Sequence, residues 1–255
     1  MGVGASMLWW EEGFCQGLAD ARRFVIRYDH RDTGRSITYE PGRPPYSGAD
    51  LLGDAIALLD AYGISAAHIV GASAGGGFAQ SLARDDPDRV RSLVLVSTSP
   101  VLPTGRDLPP PSDELMAFVS TANVDWSDAE SVIDYQVGYA RVLAGGRRRF
   151  DEGAVRALVR RDVERARDFA AAQNHEALRD DERTRSPLAS IAAPTLVIHG
   201  TADPMFPPQH GEALAAEVPG ARLLVLEDAG HGIERADWEA IVRAIAEHTA
   251  QAERL

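Results

Sequence analysis

Gly71-Ala72-Ser73-Ala74-Gly75 sets a serine between two glycines, each two residues away. An apolar stretch, Ala67-His68-Ile69-Val70, leads into it, and a helical pattern from Phe78 to Arg84 follows. A serine on so tight a strand-to-helix turn projects its hydroxyl from the end of a sheet, where it can act as a nucleophile. The small flanking residues avoid crowding, and the turn aims the Ala74 N–H at a developing oxyanion. The plain alternatives are a glycine-rich turn and a phosphate-binding loop. Against the second, the chain has no G-x-G-x-x-G here and no lysine anywhere.

Two further segments supply partners for such a serine. Asp203, in Gly200-Thr201-Ala202-Asp203-Pro204, comes just after the apolar run Thr195 to Ile198. That places a carboxylate at the end of a strand, on the side where α/β sheets bind ligands. An Asp-Pro pair is equally at home in an ordinary turn. His231, in Asp228-Ala229-Gly230-His231-Gly232, follows the last apolar run. A lone loop histidine is more often surface than catalytic, but the order serine, aspartate, histidine gives these three residues a shared meaning. Asp228 is a rival acid, too near His231 in sequence to reach the far ring nitrogen comfortably. Ser97-Thr98-Ser99, another place for an acid, contains no carboxylate. The chemistry these residues could do is acyl transfer. His231 takes the Ser73 proton as Oγ attacks a carbonyl, Asp203 fixes the ring tautomer, and water later releases the acyl group.

Such residues need a scaffold, and the hydrophobic pattern describes one. Short apolar runs at Phe24–Tyr28, Ala67–Val70, Ser92–Val96, Thr195–Ile198 and Arg222–Leu226 read as strands. Helical spacing separates them, at Leu51–Tyr62, after the Ser73 turn, and from about Asp237 to Ala250. Strands apolar throughout and alternating with helices predict an α/β fold, a mostly parallel sheet covered on both faces. From Val101 to Pro187 the alternation stops. A proline-rich opening, Pro100 to Pro111, gives way to helical pattern with no convincing strand. We read residues 101–187 as a helical cap or lid inserted into a core formed by 1–100 and 188–255. A peripheral helical decoration is the alternative. Arg147-Arg148-Arg149 within it reads as a solvated turn.

Composition narrows the field. The 255 residues hold 26 basic and 38 acidic side chains, a formal net charge of −12. So acidic a chain is a poor partner for nucleic acid or an anionic membrane. The missing lysine removes Schiff-base chemistry. A single cysteine, Cys15, cannot form an internal disulfide, which suits a reducing cytoplasm. No apolar run is long enough to span a bilayer, and no spacing suggests a metal site, so no cofactor is expected. Trp9, Trp10, Phe118, Trp126, Met205 and Phe206 are candidates to line an apolar pocket or simply to fill the core.

With these residues in place, the chain resembles the α/β-hydrolase superfamily, and within it the aclacinomycin-methylesterase-like hydrolases of actinobacteria. The resemblance rests on Ile26-Arg27-Tyr28-Asp29-His30-Arg31-Asp32-Thr33-Gly34-Arg35-Ser36, on the Ser73 elbow, on Ala193–Ile198 leading to Asp203, and on Gly230-His231. It is weak across residues 101–187. It implies a carboxylic-ester hydrolase acting on a small-molecule ester, methyl esters included. Cofactor-free haloperoxidases and C–C bond hydrolases share the triad, and a non-catalytic binding protein on the same fold is a further alternative. The resemblance implies a bracing role for the 29–36 loop. It also implies that Met1–Ser6 corresponds to the oxyanion loop, with the Val3 N–H as second donor beside Ala74. On that reading the first strands of the core are missing and a sheet edge lies bare.

Overall fold

Four of the apolar runs become one sheet. The computed structural model describes residues 1–178 and 186–254. Strands β1 (Ala67–Ala72), β2 (Val90–Val96), β3 (Thr195–Gly200) and β4 (Arg222–Leu226) lie side by side in sequence order, every pair parallel. Parallel neighbours need crossover connections, and helices supply them. Helix α1 (Glu12–Asp20) and helix α2 (Gly48–Ala61) precede β1, and α3 (Ala74–Asp85) joins β1 to β2. Helices α4 (Asp113–Thr121), α5 (Ala129–Leu143) and α6 (Glu152–Arg165) stand between β2 and β3. Helix α7 (Gln209–Glu217) joins β3 to β4, and α8 (Trp238–Ala252) closes the chain.

The period of two along each strand explains why both faces are covered. In β2, Leu93 and Leu95 enter a cluster with Leu52, Leu82 and Leu214 from α2, α3 and α7. Val94 and Val96 enter another with Phe14, Leu18, Ile241 and Ile245 from α1 and α8. All four β2 side chains are fully buried. A run apolar at consecutive positions, Leu93–Val96, satisfies two cores at once, as the parallel-sheet expectation requires.

One expected strand is absent. Phe24–Tyr28 joins no ladder, and the outer edge of β1 has no partner among the described residues. A cavity of about 430 Å³ lies between them, lined by Val25, Ile26 and Tyr28 on one side and Ile69, Val70 and Gly71 on the other. Strand propensity is not enough. The backbone groups need an adjacent chain at hydrogen-bonding distance, and here no ladder forms between the two segments, which line opposite parts of the same cavity.

Residues 97–178 contain helices and no strand. Helices α4, α5 and α6 each begin at a side-chain cap. Ser112 accepts the Leu115 N–H at 3.2 Å, Asp128 that of Glu130 at 3.0 Å and Asp151 that of Ala154 at 3.0 Å. Each cap contributes about 1 kcal/mol to its helix. Ile133 and Val137 of α5 pack on Val159 of α6, with Trp9 and Phe150 against them. Among the described residues no helix is long and apolar enough to cross a membrane.

Candidate active site

Ser73 sits between β1 and α3 with φ 54° and ψ −125°. A side chain rarely tolerates this region, and holding a residue there costs about 1–3 kcal/mol. Three bonds over-determine it. The Ser73 N–H extends the ladder to the Val96 carbonyl at 2.9 Å, Gly76 N–H reaches the Ser73 carbonyl at 2.8 Å, and the Thr98 hydroxyl donates to that carbonyl at 2.7 Å. Gly71 lies under the first turn of α3, where a Cβ would collide with the Gly75 carbonyl. The glycine two residues before the serine therefore allows the close strand-to-helix approach.

Asp203 lies three residues beyond β3, its side chain wholly buried. Its Oδ1 accepts the N–H groups of Met205 and Phe206, both at 2.9 Å. His231 Nδ1 meets Oδ2 at 2.8 Å and Oδ1 at 3.1 Å. An ionised carboxylate only accepts, so the ring carries its proton on Nδ1 and leaves Nε2 for chemistry. The imidazole thus takes Asp203, not Asp228, whose backbone turns at φ 58°. Ala202 N–H binds the Ala229 carbonyl at 2.9 Å and ties the two loops together. The His231 N–H is anchored on the Leu143 carbonyl at the end of α5, at 2.7 Å. The Phe206 ring packs edge-on against the imidazole at 5.6 Å.

The two expected oxyanion donors are built differently. Ala74 is the first residue of α3 and carries one of the N–H groups a helix cannot bond internally. Val3 belongs to a turn closed by Ala5 N–H on the Gly2 carbonyl at 3.3 Å, with Gly4 at φ 65°. That positive φ at the third residue favours glycine. The turn lies against the serine: a Cβ on Gly2 would stand 3.3 Å from Ser73 Cβ and 3.5 Å from its Oγ.

Several residues of the site were not visible as candidates in the sequence. Ser97-Thr98-Ser99 has no carboxylate, yet its hydroxyls brace three different segments. Ser97 Oγ accepts the Gly232 N–H at 3.2 Å, Thr98 holds Ser73, and Ser99 Oγ meets His210 Nδ1 at 2.8 Å. The signal was three hydroxyls in a row after the apolar run Leu93–Val96. His199, the fifth residue of β3, donates from Nε2 to the Phe206 carbonyl at 2.7 Å, and the same nitrogen is 3.6 Å from Asp203 Oδ2. Burial lowers the pKa of this histidine, against the opposing pull of the Phe206 carbonyl and Asp203.

Most aromatic candidates have other work. Trp9 donates to Asp162 at 3.0 Å, Trp10 stacks on Phe14, and Phe118 and Trp126 pack on Tyr135. His30 lies among Tyr28, Phe78 and His175, and burial pushes its pKa down to about 3. The 29–36 loop braces the neighbourhood as expected. Asp29 pairs with Arg165 at 2.7 Å and accepts the Met7 N–H at 3.0 Å. Cys15 faces the Trp10 carbonyl at 3.6 Å. Among the described residues no three His, Cys, Asp or Glu side chains converge as a metal site would require.

Comparison with known proteins identifies the family. The family model described as the alpha/beta hydrolase fold matches residues 2–233. Rhodomycin D methylesterase DauP of Streptomyces sp. (strain C5) is 34% identical, over 95% of this chain and 87% of its own length. Rhodomycin D methylesterase DnrP of Streptomyces peucetius is 31% identical over the same shares. Among solved structures, an esterase from Exiguobacterium antarcticum superimposes with a TM-score of 0.76 at 21% identity, covering 98% of this chain and 90% of the other. With candidate side chains following the parallel strands β1, β3 and β4 in the order serine, aspartate, histidine, and a family match over nearly its whole length, the chain belongs to the α/β-hydrolase fold family.

Proposed function

We propose that this chain is a serine hydrolase that cleaves a carboxylic ester through Ser73, His231 and Asp203, and that a methyl ester is its substrate. The observation that carries the reading is the 2.8 Å bond from His231 Nδ1 to the buried Asp203. It fixes the tautomer that leaves Nε2 basic, as a general base must be. In this mechanism Nε2 takes the hydroxyl proton of Ser73 while Oγ attacks the ester carbonyl. The oxyanion receives the N–H groups of Ala74 and Val3. Protonated His231 then gives its proton to the departing alcohol, and water, activated by the same ring, releases the acid. The methyl-ester preference rests on two relatives that are named as methylesterases. Residues 101–187 act as the cap over this site, on a core of 1–100 and 188–255. The lone cysteine suits a cytoplasmic setting.

Treatment with a fluorophosphonate probe, beside turnover of p-nitrophenyl acetate and a panel of methyl esters, tests the reading. Labelling and hydrolysis that both vanish in Ser73→Ala are expected. A protein that is neither labelled nor active would leave a binding protein on this fold.

A further inference from the structure

The turn that carries Val3 has no strand or helix of its own to fix it. What touches it comes from far along the chain. His175 closes a short helical turn, Ala170–His175, that follows α6. Its Nδ1 accepts the Gly4 N–H at 3.1 Å, and its Nε2 bonds the Arg31 carbonyl at 2.7 Å. A backbone N–H can only donate and a carbonyl can only accept, so both bonds exist together in one state of the ring. That state is the neutral imidazole protonated on Nε2. The same segment backs the turn sterically: a Cβ on Gly4 would lie 3.5 Å from both the Cβ and the carbonyl of Ala172.

We propose that His175 is a positioning residue for the oxyanion site, its neutral ring clamping the Gly4 N–H to the Arg31 carbonyl so that the Val3 donor faces Ser73. The inference rests on the serine-hydrolase reading and deepens it. A second proton on the ring would set an N–H against the Gly4 N–H and release the turn. The groups that face the ring pull in both directions. Burial lowers its pKa. The hydrogen bond to the Arg31 carbonyl and the charge of Asp32 oppose it, and the net shift is downward. His30, at 6.2 Å between ring centroids, stays neutral. Asp32 is itself held by the Tyr46 hydroxyl at 2.5 Å, the Tyr39 N–H at 2.6 Å and the Asn174 amide at 2.9 Å. The clamp is therefore closed at neutral pH and opens in acid.

Two variants of the full chain test this. His175→Phe keeps a ring of similar size and removes both bonds. His175→Asn keeps an acceptor near the Nδ1 position and cannot titrate. Removing an oxyanion donor outright lowers kcat about 10²–10³-fold, and loosening one should lower it about tenfold. We expect His175→Phe to lose about tenfold in kcat with KM within about twofold, and His175→Asn to regain most of that loss. The wild-type acid limb of kcat should fall more steeply than one ionisation allows, by an extra step of about tenfold as the clamp opens, and the limb of His175→Asn should follow one ionisation. An unchanged kcat in His175→Phe would overturn the inference. So would an Asn variant that keeps the steep limb, a result that stands even if the Phe variant folds poorly. A wild-type chain that hydrolyses no ester and takes no fluorophosphonate sinks the serine-hydrolase reading first. An active wild type with an indifferent His175 sinks this inference alone.

Discussion

The site has two halves held by different means. Ser73, Asp203 and His231 follow strands of one parallel sheet, and the hydroxyls of Ser97, Thr98 and Ser99 brace the surrounding segments at short range. The Gly2–Ala5 turn depends on polar side chains from distant parts of the chain. His175 holds Gly4, and Asp29, paired with Arg165, holds Met7 just beyond the turn. Strand ends are placed by a packed core that tolerates little movement. A turn held by a few polar contacts is placed only as long as those contacts persist. One half should therefore respond to changes at the reacting atoms, the other to changes far from them.

The largest effect belongs to the sheet-borne half. Asp203→Asn keeps an oxygen for the Met205 and Phe206 N–H groups but releases the His231 tautomer. We expect kcat to fall about 10⁴-fold with little change in KM, read from steady-state kinetics. Loss of the fold instead of the rate would show that Asp203 serves the turn first. Next comes Thr98→Val, which removes the donor to the Ser73 carbonyl. About tenfold in kcat and about 1–2 kcal/mol of stability, from a denaturant titration, would mark the elbow as braced by that hydroxyl.

These residues also divide what could be read in advance. The placement of Ser73, Asp203 and His231 at strand ends was legible because each follows a strand whose pattern is local, and the glycines around Ser73 report a packing need within five residues. Two covered faces were legible from runs apolar at consecutive positions. The bracing hydroxyls were overlooked because only a carboxylate was sought there. Phe24–Tyr28 was misread because pairing depends on a neighbour the segment itself does not specify. His175 had no signature at all: it meets Gly4 across 171 positions of sequence. Such contacts are set by the assembled fold and leave no spacing to find.

Two smaller effects probe the other half and the strain. Burial alone would raise the pKa of Asp29, but Arg165 and the N–H groups of Met7 and Arg35 outweigh it and hold the carboxyl below its usual value. A depressed carboxylate contributes stability that is present above its unfolded pKa and lost as pH falls through the folded one. The melting temperature should therefore drop below about pH 4, less steeply in Arg165→Met, which should already be less stable by about 1 kcal/mol at neutral pH. An identical pH dependence would remove this pair from the bracing of the turn. Ser73→Gly should gain up to about 1 kcal/mol by relieving the backbone while abolishing turnover. A destabilised glycine variant would mean the elbow is not strained.

The most direct test is to stop the enzyme during ester turnover and weigh its peptides. An acyl group on the peptide that carries Ser73, accumulating in a burst and absent from His231→Ala, is the predicted result. A productive reaction with Ser73 never acylated, or undiminished turnover by Ser73→Ala, would contradict it.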